Sequence, residues 1–230
     1  MIGGVKNRVI RGKFITIEGL DGCGKSSQLE RLAKVLRDEG LEVMVTREPG
    51  GTPIGEKIRA VLLDSRTQGL APMAELALMF ASRAQQVEEN IKPALAAGKW
   101  VLCDRFTDSS EAYQGGGRQL GSERVLALHK DLLGDFHPDM TILMDSEVAA
   151  SVARARRRNL QKNDGEGDEN RFEQESRAFF TRVHEKYLEI AEREPKRVFV
   201  VDARKKAETV HPQIVEAVRN RLLEKTCENW

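Results

Sequence analysis

Cysteine is scarce in this 230-residue chain, which has only three. Cys23, Cys103 and Cys227 cannot build a disulfide framework, and none sits at metal-ligand spacing from another, so a reducing cytosol is the expected setting. Long apolar runs are missing as well: none approaches the roughly 18 residues that a membrane span needs. The N-terminal stretch from Met1 to Lys13 is basic and has no apolar signal core, so no export is expected. Neither sign of charge dominates, with 37 Lys and Arg against 36 Asp and Glu and a net charge of +1. That balance argues against a protein that works on nucleic-acid backbone or on an anionic membrane surface. What is present, 40% apolar and 32% charged residues, suits a folded globular chain long enough for one large domain or two small ones.

Five short, mostly apolar runs are bounded by Gly or Pro: Phe14–Ile17, Val43–Thr46, Trp100–Cys103, Thr141–Met144 and Val198–Val201. They read as strands buried on both faces. Between them apolar residues recur at helical spacing, as in Leu29, Leu32, Ala33 and Leu36, and Glu75 to Ala97 reads as one long helix. Strands alternating with helices predict an α/β fold, a parallel sheet wrapped by helices. No internal repeat or linker divides the chain. Residues 1–12 read as a loose arm, and the polar, glycine-containing stretch 159–170 reads as a mobile loop.

Gly19-Leu20-Asp21-Gly22-Cys23-Gly24-Lys25-Ser26 matches the phosphate-binding pattern Gly, four residues, Gly, Lys, Ser/Thr. Glycines let the backbone curl so that successive N–H groups face phosphate oxygens. Lys25 supplies a point charge for the β and γ phosphates, Ser26 a hydroxyl for Mg²⁺, and the following helix its positive end. An ordinary glycine-rich turn could carry the same letters. Here, though, the run follows a predicted buried strand and precedes an amphipathic helix, as the mechanism requires. A nucleoside triphosphate is therefore expected. A GTPase would carry Asn-Lys-x-Asp, and Gln161-Lys162-Asn163-Asp164 fails at its first position. A mechanical ATPase usually belongs to a larger machine.

In open α/β sheets ligands bind beyond the carboxyl ends of the strands. Those ends carry Glu18 and Asp21, then Arg47 and Glu48, then Asp104 and Arg105, then Asp145. Any one of these could be a solvated strand end or a helix cap. Together beside a triphosphate loop they point to a site, with Asp104 as the Mg²⁺-side carboxylate and Arg47 and Arg105 facing a second anion. Ser110, Tyr113 and Gln114 lie in a run of hydroxyls, amide and glycines that is either a plain loop or a wall reading sugar and base. Arg83 follows Met79 and Phe80 on a helix. It is either solvated or binds the carbonyl edge of a base stacked on an aromatic ring. Arg154, Arg156, Arg157 and Arg158 form a basic helix end, either complementing the helix dipole or closing over transferring phosphates. Cys23 reads as a small loop residue rather than a nucleophile.

These blocks together resemble bacterial thymidylate kinases, from Lys13 to about Leu223. The specific ones are Thr46-Arg47-Glu48-Pro49-Gly50-Gly51-Thr52 and Ala112-Tyr113-Gln114-Gly115-Gly116-Gly117-Arg118; Asp104-Arg105, Pro138-Asp139 and Arg171-Phe172-Glu173 agree. The resemblance implies a phosphate-loop nucleoside monophosphate kinase fold, with a five-stranded parallel sheet surrounded by helices. It implies a single kinase domain over 13–230 with a lid at about 154–171, a cytoplasmic enzyme and a homodimer. The implied activity is phosphorylation of dTMP to dTDP with ATP and Mg²⁺. The alternatives are a kinase for another nucleotide or nucleoside, or a regulatory nucleotide switch. By resemblance, Gly19 to Ser27 hold ATP, and Ser26 and Asp104 hold the metal. Asp21 lies near the acceptor's 3′-hydroxyl, and Arg105 takes the dTMP phosphate. Glu48, Phe80, Arg83, Ser110, Tyr113 and Gln114 serve the acceptor, with Arg83 on thymine. Arg154, Arg156 and Arg158 are the lid arginines. The family's stacking Phe falls at Met79 here, with Phe80 one residue later, so either could face the base. The loop position that carries an arginine in some members is Gly22.

Overall fold

The computed structural model describes residues 11–162 and 170–223. In chain order it runs β1 (Phe14–Glu18), α1 (Lys25–Asp38), β2 (Val43–Arg47), α2 (Pro53–Leu63), α3 (Pro72–Gln86), α4 (Lys92–Ala96), β3 (Trp100–Asp104), α5 (Thr107–Ser110), α6 (Ser122–Leu133), β4 (Met140–Asp145), α7 (Val148–Lys162), α8 (Arg177–Arg193), β5 (Val198–Asp202) and α9 (Ala207–Val218). The five strands form one parallel sheet in the order β2-β3-β1-β4-β5. With β1 at the centre and every strand running the same way, all carboxyl ends open on one edge, and the loop leaving β1 lies in the middle of it.

Alternation along the strands divides the core. Ile15, Ile17, Leu102 and Ile142 pack with Leu29, Leu32 and Leu36 of α1 and Val210, Ile214 and Val218 of α9. Their neighbours Phe14, Val101 and Cys103 point the other way, onto Phe80, Ile91, Leu95 and Phe106. A third cluster joins Leu143 and Val198 to Phe179, Phe180, Val183 and Tyr187 of α8 and extends to Met79, Tyr113 and Phe172. Side chains of period two along a strand must face opposite layers, and this is what lets helices cover both sides.

Three expectations are modified. The outer strand β2 is only half-buried along its length, and β5 is exposed at Val200, so burial on both faces holds for the three inner strands. The long helix is continuous from Pro72 to Ala96 but widens into a π turn at Val87–Ile91. Pro93 supplies the cause: it has no N–H to give and its ring crowds the preceding turn, which a wider turn relieves. The basic cluster 154–158 lies inside α7 rather than at its end, because α7 continues to Lys162. Periodicity fades there in a run of polar helix-formers, so the helix extends into what reads as loop. The arm at residues 1–12 falls almost wholly outside the described residues, as does the centre of the polar stretch 159–170.

Candidate active site

The phosphate loop joins β1 to α1. Gly24 adopts φ 99°, a left-handed conformation that glycine takes without strain, and α1 begins immediately after it with no side-chain cap. By contrast, α2 is capped by Thr52, whose Oγ1 accepts from Gly55 N at 2.9 Å, and α8 by Ser176. The first N–H groups of α1 are thus left to an anion. Lys25 Nζ lies back along the loop, donating to the carbonyls of Gly19 at 3.1 Å and Leu20 at 2.8 Å, with Asp21 Oδ1 at 3.6 Å. Leu20 and Cys23 are buried supports of the loop. Burial pushes the Cys23 thiol up, as fits a structural residue.

A cavity of 1110 Å³ opens beside the loop. It is lined by Asp21, Gly22, Gly24, Lys25, Ser26 and Ser27 on one side, by Glu48, Met79, Arg83, Ser110, Tyr113 and Gln114 on another, and by Asp104 and Arg105 on its floor. Arg158, Asn159, Phe172 and Glu173 close it from above. The volume exceeds that of a single drug-sized ligand site, roughly 300–1,000 Å³.

Arg105 is the centre of the floor. Its backbone takes φ 74°, uncommon for a side-chain-bearing residue, while its N donates to Ile17 O at 3.0 Å. NH2 meets Asp21 Oδ1 at 2.8 Å and Tyr113 OH at 3.3 Å; NH1 meets Ser109 Oγ at 2.9 Å and Tyr187 OH at 3.2 Å. Burial raises the pKa of the Asp21 carboxyl, but Arg105 and Lys25 outweigh burial and hold it well below the usual range. Beneath lies Glu18, which accepts from Phe106 N at 2.7 Å and from Tyr187 OH at 3.1 Å; burial and nearby Asp108 push its pKa up to about 7.

Arg83 and Glu48 form a second, deeply buried pair, 2% and 3% exposed, joined Nε to Oε2 at 2.6 Å. Arg83 NH2 also donates to Phe106 O and to Ser110 Oγ at 3.0 Å, and its guanidinium lies 4.5 Å from the Phe80 ring centre. Burial pushes Glu48 up to about 7, with Arg83 offsetting part of the rise. Two buried atoms of this pair, Arg83 NH1 and Glu48 Oε1, take no hydrogen bond. Both residues line the cavity, while these two atoms are shielded from it; a buried donor and acceptor left unpaired are costly.

Ser26 Oγ donates to Asp104 Oδ2 at 2.8 Å, while Asp104 Oδ1 is buried and unpartnered. A hydroxyl and a free carboxylate oxygen at the foot of a phosphate loop fit Mg²⁺ held jointly with nucleotide phosphates; no cluster of three or more His, Cys, Asp or Glu suited to a metal exists among the described residues. Above the loop, α7 packs so tightly that a Cβ on Gly22 would lie 2.3 Å from Ser151 O. Arg154 Nε donates to Gly22 O at 2.7 Å and Arg158 lines the cavity. Arg156 turns away, donating to Glu173 O at 2.9 Å and Glu175 O at 3.3 Å.

The model matching residues 17–214 describes the thymidylate kinase family. The chain belongs to it. The kinase is 49% identical over 212 residues to the thymidylate kinase of Alkalilimnicola ehrlichii, covering 92% of this chain and 94% of that protein. It is 46% identical over 214 residues to that of Pseudomonas putida, covering 93% and 98%. Its fold superposes on the crystal structure of thymidylate kinase from Ehrlichia chaffeensis with a TM-score of 0.72 at 30% identity, over 91% of this chain and 99% of that one.

Two expected positions change. Phe80 does not line the cavity: it is fully buried under Arg83, and Met79, one residue earlier, is the side chain on the wall. The half-turn phase of a helix cannot be fixed from sequence when both candidates are apolar. Arg47 reaches the cavity rim, but its NH2 is engaged by Glu56 at 3.0 Å. The sequence reading missed Arg59, which lines the cavity and donates to Pro49 O at 2.9 Å. It reads as the polar face of α2. The signal was its place in the helix that leaves the Arg47–Thr52 turn and must overlie the same strand ends.

Proposed function

We infer that this chain transfers the γ-phosphoryl group of ATP to the phosphate of dTMP, giving ADP and dTDP. The observation that carries the reading is one cavity lined both by a phosphate loop and by the buried Arg83–Glu48 pair with Met79, Ser110, Tyr113 and Gln114. One end is built for phosphates and the other for a base edge. The triphosphate lies along Gly19 to Ser27, against the uncapped start of α1, with Lys25 swinging from the loop carbonyls to the β and γ phosphates. Arg105 receives the acceptor phosphate, with its NH1 fixed by Ser109 and Tyr187. Asp21 lies beside the acceptor sugar. Met79 lies against the base, Arg83 donates to its carbonyl edge, and Ser110, Tyr113 and Gln114 complete the sugar and base wall. Ser26 and Asp104 would hold Mg²⁺, which would supply positive charge against the negative charge of the phosphates.

An acceptor phosphate oxygen forms the new bond to the γ-phosphorus as the bond to the bridging oxygen breaks, and that electron pair leaves with ADP. The protein aligns these groups and meets the charge spread over the moving phosphoryl oxygens. Arg154 and Arg158, on the face of α7 turned to the loop, supply that charge, because Gly22 has no room for an arginine. The enzyme works as a homodimer. Exposed apolar side chains on α2, α3 and α6, namely Ile54, Val61, Met73, Leu126 and Leu132, support that state. The deciding experiment is ADP release with ATP, Mg²⁺ and a panel of nucleoside monophosphates. A marked preference for dTMP is expected, and equal rates for all acceptors reject the assignment.

A further inference from the structure

Glu75 lies at no strand end and is fully enclosed in the first turn of α3. Every group that reaches it is a donor. Gln114 Nε2 meets Oε1 at 2.8 Å, Arg118 Nε meets Oε1 at 3.2 Å, Arg118 NH2 meets Oε2 at 3.1 Å and Arg171 NH1 meets Oε2 at 2.8 Å. A carboxylate engaged in this way only accepts. An amide facing it must therefore turn its NH2 toward it, whatever rotation a side-chain amide would otherwise choose. Gln114 is 1% exposed and lines the cavity, and no described residue donates to its carbonyl Oε1. The carbonyl is the part of Gln114 left for a ligand. One helical turn earlier, Ser110 holds Arg83, which lines the same cavity and whose guanidinium can only donate.

We propose that Glu75 is a positioning residue that sets base specificity: by fixing the amide of Gln114 it presents an acceptor beside the donor of Arg83. The proposal rests on the reading of this cavity as the dTMP site. An acceptor next to a donor matches the ring N–H and adjacent carbonyl of thymine. Cytosine offers a bare ring nitrogen and an amino group at those positions, so acceptor would face acceptor and donor would face donor. Leaving buried polar groups unpaired rejects the wrong base more strongly than shape alone.

Glu75 also anchors Arg171, next to the cavity-lining Phe172, so a merely structural role must be separated from this one. The test is kcat and KM for dTMP and dCMP in the wild type, Glu75→Gln, Gln114→Met and the double variant. A glutamine at 75 can donate to Gln114 Oε1 and so lets the amide turn over. Glu75→Gln is expected to raise the KM for dTMP about tenfold to a hundredfold, to lower the dTMP-to-dCMP ratio of kcat/KM by a similar factor, and to leave the KM for ATP unchanged. Adding it to Gln114→Met is expected to change the ratio no further. Glu75→Asp keeps the charge that both arginines need but retracts the carboxylate from Gln114, and gives the same loss if Glu75→Gln does not fold. In the unaltered enzyme, the Gln114 side-chain NH2, identified by its absence from Gln114→Met, is expected to exchange slowly with solvent. An unchanged ratio in a folded variant, an effect that persists in the Gln114→Met background, or rapid NH2 exchange overturns the proposal. A wild type that does not prefer dTMP overturns the underlying reading instead.

Discussion

Among the described residues Lys25 donates to two loop carbonyls and pairs with Asp21 at 3.6 Å, contacts that a phosphate can replace. Lys25→Ala is expected to lower turnover on the order of 10²-fold or more, because a preorganised charge at the moving phosphoryl group is lost, while the thermal melt stays close to wild type. Turnover near wild type rejects the role. Arg83 calls for a gentler probe, since its removal takes away the partner of the buried Glu48 and pushes that carboxyl further toward its neutral form. Glu48 itself titrates near pH 7. Above that pH its carboxylate holds Arg83 in place, and below it the charge-assisted bond weakens. The KM for dTMP is therefore expected to fall as pH rises through about 7, relative to Glu48→Gln, in which that inflection disappears. Parallel profiles for the two proteins would refute it. At this scale the sequence was uneven. Lys25 and Ser26 are placed by motif spacing alone. Glu75 was invisible, because its significance comes from Gln114, Arg118 and Arg171, which lie far along the chain and meet only through the fold.

The pairing of α7 with the phosphate loop decides what the basic cluster can do. Helical spacing alone separates Arg154 and Arg158 from Arg156, and the observed partners divide the same way. Arg154→Ala or Arg158→Ala is expected to cut kcat by ~10³-fold at saturating substrates, far more than it weakens binding, as for arginines that engage the transition state. Arg156→Ala is expected to do little. Full turnover in both of the first two variants makes α7 a gate only. Gly22→Ala is expected to displace α7, since its Cβ would collide with the backbone at Ser151, and lower kcat together with the melting temperature. The strands were legible to within a residue because Gly and Pro bound them. The end of α7 was not, because polar helix-formers give no period to follow.

For the molecule as a whole, the buried floor makes stability depend on pH. The pKa of Glu18 rises from 4.5 to about 7 on folding, chiefly through burial and Asp108. Its contribution is complete below pH 4.5 and is lost as pH rises through about 7. Glu18→Gln is expected to flatten the decline in melting temperature between pH 5 and 8. An equal decline in both proteins counts against it. Sedimentation at micromolar concentration is expected to give twice the 25.8 kDa chain mass, and a Leu126→Glu variant is expected to shift it toward the monomer.

The contact between Arg105 and Asp21 carries one more consequence. On the proposed reading, the cation that takes the acceptor phosphate also pairs with Asp21, at 2.8 Å. A visiting phosphate gains only the difference between its own grip and that of Asp21, so bare inorganic phosphate, abundant and without a base to anchor it, finds little reward there. A nucleotide brings the rest of its binding energy from the far wall and can dislodge the resident carboxylate. On that reading the ion pair is expected to act as a threshold, and inorganic phosphate is expected to compete poorly with dTMP in a steady-state assay while a ligand held at both ends still enters.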